Sequence, residues 1–352
     1  MSKPFDILDQ LGRFGAQRNI SLRDPSAPGA FADHVSKSVG RALADPALMH
    51  GQRAEAMFEA LVVSLGEYRL LTREDGGNVF PAGQFVAPDF RVVLTDGQHW
   101  LVEVKNVYEE EPFEQSRTLF RRDYHAKLDA YSRATGAELK LAVFWARWSV
   151  WTLVSPDRLV DADGSLTLDM MTAMRVNEMA ALGDLSIGTR APLTLRLTMD
   201  PDRSGAIGDD GLVKAVIGGT SLRSEDREIL DPVEREIAFT LMQHGQWVEQ
   251  EPVPIIDGDR LVAMEFTWCP QEEEVDQGFD FIGSLSRIFA HYYAAHTLND
   301  REVVQLRAPL RPSWFAPLIA PGHVSDALPL WRFSLKPNYG SAEAAADEAG
   351  GA

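Results

Sequence analysis

Two strand-like runs, Gln84–Leu94 and His99–Val107, are separated only by Thr95-Asp96-Gly97-Gln98, so the chain between them has room for little but a turn. Side chains alternate between the faces of a strand. Phe90, Val92 and Leu94 therefore share an apolar face with Trp100, Val102 and Val104, while Glu103 and Lys105 occupy the other. The loop length then decides where Asp89 points. A two- or four-residue loop sets Asp89 opposite Val104 and sends its carboxylate to the apolar side. A three-residue loop, Thr95-Asp96-Gly97 with Gly97 left-handed, sets it opposite Glu103. We expect the three-residue loop, because it gathers two carboxylates and an ammonium in one place.

That grouping has a chemistry. Asp89 and Glu103, with the backbone carbonyl of Val104, offer the hard oxygen donors that Mg²⁺ or Mn²⁺ takes. Lys105 beside them would orient an attacking water or stabilise negative charge on a phosphorane-like transition state. The plainer alternative is a solvated hairpin with a surface ion pair between Glu103 and Lys105, which would be worth little.

The flanks supply a setting. Ala54, Met57, Phe58, Leu61, Val62 and Leu65 recur at helical spacing over Gln52–Leu65, and Gly66 follows as a stop. Tyr68–Arg73 reads as a strand, Phe113–Arg133 as a helix stopping at Thr135-Gly136, and Leu139–Val154 as one or two further strands. The order is helix, three strands, helix, strands, which is an α/β unit. On the second helix Arg117, Arg121, Arg122, Lys127 and Arg133 outnumber Asp123 and Asp129, with Arg117, Arg121 and His125 spaced one turn apart. Such a row can neutralise phosphates; it serves equally as a solvated outer face.

At Pro88-Asp89 and Glu103-Val104-Lys105 the chain resembles the PD-(D/E)xK nuclease superfamily, over about residues 50–155. The resemblance implies a restriction-endonuclease-like core and metal-dependent hydrolysis of phosphodiester bonds, with DNA as the expected substrate and bacterial defence or repair as the setting. It implies Asp89, Glu103 and the Val104 carbonyl as metal ligands and Lys105 as the residue that organises the attacking water or stabilises the transition state. A glutamate on the first helix often completes the site in that superfamily. Glu55 is our choice and Glu59, further round the helix, the fallback. The second helix is similar to that of RecB-type members, whose Gln-x-x-x-Tyr pattern is matched here by Tyr131 but not by Lys127. Cleavage of a duplex by a nuclease with one site usually takes two copies, so a homodimer is plausible. The chain has no Gly-x-x-x-x-Gly-Lys-Ser/Thr loop, so an ATP-driven motor would be a separate ATPase or helicase.

The remainder is read more coarsely. Residues 1–50 form a lead-in and 161–191 a mostly helical connector. Residues 192–339 form a second α/β domain with helices at Pro232–His244 and Phe279–His296 around strands at Trp247–Ile256 and Leu261–Trp268. Its element order repeats the first domain, with Glu265-Phe266-Thr267 where Glu103-Val104-Lys105 stands; it is either a degenerate copy or an unrelated domain of like order. The tail, 340–352, is expected to be disordered.

Charge divides the halves. Residues 1–150 carry 18 Lys/Arg against 20 Asp/Glu, and residues 151–352 carry 16 against 32. Nucleic-acid contact is therefore expected in the first half, and the second half is expected either to meet protein partners or to steer DNA into the first by repulsion. The competing function class is a non-catalytic scaffold of a nucleic-acid-processing complex, and a third is a protein-binding module. No apolar run reaches the roughly 18 residues of a membrane helix and the N-terminus lacks a signal-peptide core, so the expected location is the cytoplasm. Cys269 stands alone and is expected to be a small packing residue; His244, His291 and His296 are expected to pack or face solvent rather than bind metal.

Overall fold

A computed structural model describes residues 7–74, 83–111, 113, 115–272, 277–309 and 323–340. Three helices come first: α1 (Ile7–Arg18), α2 (Ala27–Leu43) and α3 (Pro46–Leu65). Helix α3 begins a turn and a half before the apolar periodicity does. Asp45 caps it by accepting from the Leu48 N–H at 3.1 Å, and Pro46 fits the first turn, where no N–H is needed. Gly66, at φ 88°, ends it.

The central sheet has five strands. Strands β1 (Tyr68–Arg73), β2 (Phe90–Leu94) and β3 (His99–Val107) are antiparallel neighbours. After β4 (Arg117–Phe120) and α4 (Arg122–Thr135) the chain returns as β5 (Glu138–Trp145) parallel to β3, and β6 (Val150–Val154) closes the edge. The hairpin pairs Phe90 with Val102 and Val92 with Trp100, the register of the three-residue loop. Gly97 donates to the Leu94 carbonyl at 3.0 Å with φ 92°. A Cβ there would touch nothing within 4 Å, so Gly97→Ala should cost only backbone strain, about 1 kcal/mol in a denaturant melt.

Both faces of this sheet are covered, as parallel pairing requires. Met57, Phe58, Leu61 and Val62 of α3 pack on Phe90, Val92, Trp100, Val102 and Val104. Leu128 of α4, with Phe120, packs on Leu101, Val107, Leu141, Val143 and Trp145. The side carrying Glu103 is therefore no solvated ribbon, and Glu103 is 3% exposed. Trp145 and Trp151 are both core residues, whereas Trp148 stays partly exposed, its ring edge against Phe113.

Four expectations need correction. The strand expected from Gln84 is paired only from Phe90. The helix expected from Phe279 begins at Leu285, because Asp280–Ser284 is drawn into an antiparallel pair with Ser186–Thr189. The helix read from Phe113 starts at Arg122, because Arg117–Phe120 is drawn into an antiparallel pair with β7 (Leu166–Leu168). The connector is also less helical than its composition suggests. It holds β7, a six-residue α5 (Met170–Arg175), a single 3-10 turn at Met179–Leu182 and β8 (Ser186–Thr189).

The second half builds an antiparallel sheet from β9 (Leu193–Met199), β10 (Ile217–Ser224) and β11 (Arg227–Ile229), then, after α6 (Pro232–His244), β12 (Val248–Glu249), β13 (Val253–Asp257) and β14 (Arg260–Cys269). Strand β14 lies against antiparallel β9 where β3 lies against parallel β5, so the pairing of the first sheet is not repeated. Glu265 is bound across the strands by Arg196 at 3.0 Å. Strand β15 (Asp280–Ser284) leads into α7 (Leu285–Thr297), a short pair β16 (Leu298–Asn299) and β17 (Glu302–Val303), and β18 (Trp331–Phe333), which joins β15 and β8 in a third sheet. One apolar cluster runs from α3 through the central sheet to α6 and α7. The tail from 341 and most of the acidic run Glu272–Asp276 lie outside the described residues. No described helix is long and apolar enough to cross a membrane.

Candidate active site

The hairpin ends on three charged side chains. Strand pairing stops at Phe90, and the preceding Asp89 continues the edge with its side chain, accepting from the Val104 N–H at 2.6 Å through Oδ2. In an antiparallel pair a residue turns its N–H and C=O to the same neighbour, so the Val104 carbonyl faces the edge that Asp89 approaches. Glu103 projects to the α4 side. Its Oε1 accepts from Lys105 Nζ at 2.5 Å and from the Tyr124 hydroxyl at 2.6 Å. Lys105 Nζ also stands 5.2 Å from the Tyr124 ring and 5.9 Å from the Phe120 ring. It is held at a known place, yet its side chain remains 31% exposed.

The electrostatics are crowded. Burial pushes the Asp89 carboxyl up to about 7, the Glu103 and Glu55 carboxylates add to the rise, and the Val104 N–H and Lys105 oppose it. Glu55, on α3, thus acts on Asp89 by its charge; it also accepts from Gln52 at 3.0 Å and meets Arg73 at 3.4 Å. Glu59 is held elsewhere. Arg73 reaches it at 3.1 Å and Arg307 at 3.0 Å, and these partners outweigh burial and keep its pKa low. Of the two helix glutamates, Glu55 is the one whose charge reaches Asp89.

The donor set fits a hard divalent cation. Asp89, Glu103 and the Val104 carbonyl are all oxygen donors, and Mg²⁺ characteristically takes one or two carboxylates and keeps several waters. Among the described residues no three His, Cys, Asp or Glu side chains converge into a closed metal cage. A cation at Asp89 would offset both the burial and the neighbouring carboxylates that raise its pKa. Its affinity should therefore climb about tenfold per pH unit below pH 7, where Asp89 must first lose a proton, and level off above. Isothermal titration with Mg²⁺ or Mn²⁺ between pH 5.5 and 8.5 measures that slope.

The expected phosphate contacts separate into two groups. Arg121 and Arg122 are exposed at the N-terminal end of α4, near Tyr124, and Lys127 is half-buried on the same helix. Arg117 sits on β4 rather than one helical turn from Arg121, and it pairs with Glu109 at 2.5 Å. Tyr131 donates to Glu74 at 2.6 Å, and Glu74 in turn holds Arg91 through both carboxylate oxygens. That arrangement ties α4 to β1 and β2.

Tyr124 was not singled out in the sequence. The signal was present, since Tyr124, Leu128 and Tyr131 recur at helical spacing and mark the face of α4 that meets the sheet. The other buried charged cluster has a fully paired lysine: Lys140 Nζ reaches Glu138 and Glu178 at 2.6 Å and Ser155 at 2.8 Å. Among the histidines, burial and the nearby His291 and His296 push His244 down to about 4.

No family model and no curated protein matches the chain. Among solved structures it is similar to Hjc, a Holliday junction resolvase of Archaeoglobus fulgidus, at 22% identity over 30% of this chain and 77% of that one, with a TM-score of 0.24.

Proposed function

We propose that this chain is a metal-dependent nuclease that hydrolyses phosphodiester bonds, with DNA as its substrate. One observation carries the reading: Asp89, Glu103 and Lys105 converge at the end of one hairpin, with Asp89 anchored on Val104 and Glu103 buried between Lys105 and Tyr124. A merely solubilising surface pair would not bury a carboxylate to 3% exposure or leave a second one crowded beside it.

Asp89, Glu103 and the Val104 carbonyl would hold Mg²⁺ or Mn²⁺. Such a cation supplies charge neutralisation at the scissile phosphate and an acidified water. The chain's own groups do the rest. Tyr124 fixes the Glu103 carboxylate by its hydroxyl, and Lys105, held against Glu103 and the two rings, presents an ammonium that orients the attacking water or steadies the charge growing on phosphate oxygens. Glu55 contributes as an outer acid, while Arg121, Arg122 and Lys127 receive flanking phosphates. A second copy would serve duplex cleavage, and bacterial defence or repair is the setting we assign.

The competing reading is a scaffold without catalysis, and the net charge of −18, which repels a polyanionic substrate, favours it. Incubation with plasmid, linear duplex, single-stranded DNA and RNA in Mg²⁺ or Mn²⁺ separates the two. Cleavage by the wild type, lost in folded Asp89→Ala and Lys105→Ala variants, is the expected outcome. Neither cleavage nor metal binding would move the assignment to the scaffold.

A further inference from the structure

On the far side of the core from α4, strands β6, β8 and β15, the Met179–Leu182 turn and helix α7 border a half-open cavity of about 450 Å³. That volume is in the range that receives a small organic ligand. None of the hairpin's charged residues lines it. Its wall includes Trp151, 1% exposed, whose indole N–H has no acceptor among the described residues. That donor has almost no accessible surface, so it lies behind the cavity wall and the polar character of the cavity falls to other groups.

Arg287 lines the same cavity and has no carboxylate within ion-pair distance among the described residues. Its neighbour is the neutral Gln246 amide, which meets the guanidinium with its oxygen once that amide is turned to satisfy both groups. Burial pulls the Arg287 pKa down, as expected of a cation short of negative charge. Lys336 adds a second cation, and Phe281 and Phe333, with ring centres 5.0 Å apart, add aromatic surface; Phe281 is 49% exposed.

Asp184, the acid in the wall, does not answer this demand. It accepts from the Ser286 N–H at 2.9 Å and the Ser286 hydroxyl at 2.6 Å, and Ser284 accepts from the Arg287 N–H at 3.3 Å. The first turn of α7 is thereby satisfied by the protein itself, so it is the side chains that leave room for an anion.

We infer that this cavity binds a small aromatic acid, its planar ring against Phe281 and Phe333 and its phosphate or carboxylate on Arg287 and Lys336. The inference stands apart from the nuclease reading, because its residues and its test involve no metal and no cleavage.

Isothermal titration of the full chain with adenosine 5′-monophosphate and with indole-3-acetate provides the test, beside adenosine, which lacks the acid, and inorganic phosphate, which lacks the ring. At least one aromatic acid should bind at one site, and its ringless or uncharged counterpart should bind about tenfold more weakly or not at all. Arg287→Gln should weaken binding at least tenfold. Lys336→Ala and Phe333→Ala, toward the solvent side, should weaken it severalfold and answer the question even if Arg287→Gln does not fold. Binding of the nucleotide alone marks a nucleotide site, and binding of the indole acid alone an aromatic carboxylate site. No binding of either acid at millimolar concentration, or binding unchanged in all three variants, overturns the inference.

Discussion

Replacing Asp89 by asparagine should abolish cleavage and at the same time make the metal-free protein more stable at pH 8. The carboxyl sits near 7 in the fold against 3.8 for its ordinary value, raised first by burial and then by Glu103 and Glu55. A carboxyl whose pKa is raised by folding disfavours the fold increasingly as pH climbs from its unfolded value, and the full penalty is reached above the folded one. Asparagine keeps an oxygen for the Val104 N–H but carries no charge. A shift of this size corresponds to at most about 4 kcal/mol, and relaxation around a partly solvated edge should leave about 2 kcal/mol. Thermal melts in EDTA should therefore put Asp89→Asn about 3 to 5 °C above the wild type at pH 8, with the gap closing toward pH 4. If Asp89 holds the cation of the proposed nuclease, cleavage should fall about a thousandfold, since losing a metal ligand removes several kcal/mol of transition-state stabilisation. A variant that melts with the wild type at pH 8 would mean that Asp89 is not under electrostatic pressure.

The hairpin was legible because two constraints met there. Alternation fixed the face of each residue, and only one loop length placed Asp89 with Glu103; the pairing of Phe90 with Val102 follows that register. What lay above the hairpin was not legible in the same way. Alternation says which residues share a face, but not whether another element covers that face, so the burial of Glu103 beneath α4 had to come from the structure. The start of α4 was misread for a related reason. Arg117–Phe120 owes its extended form to Leu166–Leu168, a partner far along the chain that no local pattern indicates. The second half illustrates the limit of element order. Helix, hairpin and helix recur there, but β14 pairs with antiparallel β9, and order alone does not specify which strand becomes the neighbour.

Glu103 and Lys105 allow a sharper separation of catalysis from packing than any single substitution. Lys105→Met leaves the Glu103 carboxylate, its side chain 4% exposed, with the Tyr124 hydroxyl as its remaining donor among the described residues. Breaking a fully buried pair costs about 3–5 kcal/mol. Here the Lys105 side chain is 31% exposed, so solvent softens the loss and about 2 kcal/mol is expected. Adding Glu103→Gln removes the stranded charge while keeping an oxygen that can accept from Tyr124. The double variant should therefore recover at least about 1 kcal/mol relative to Lys105→Met, a coupling that denaturant melts of the four proteins would measure. Activity should behave differently. If Lys105 stabilises the transition state and Glu103 holds the cation, each single variant loses about a thousandfold and the double regains nothing, because restoring the fold does not restore a ligand or an ammonium. A double variant that recovered cleavage along with stability would reduce the pair to a structural ion pair and place the chemistry elsewhere in the chain.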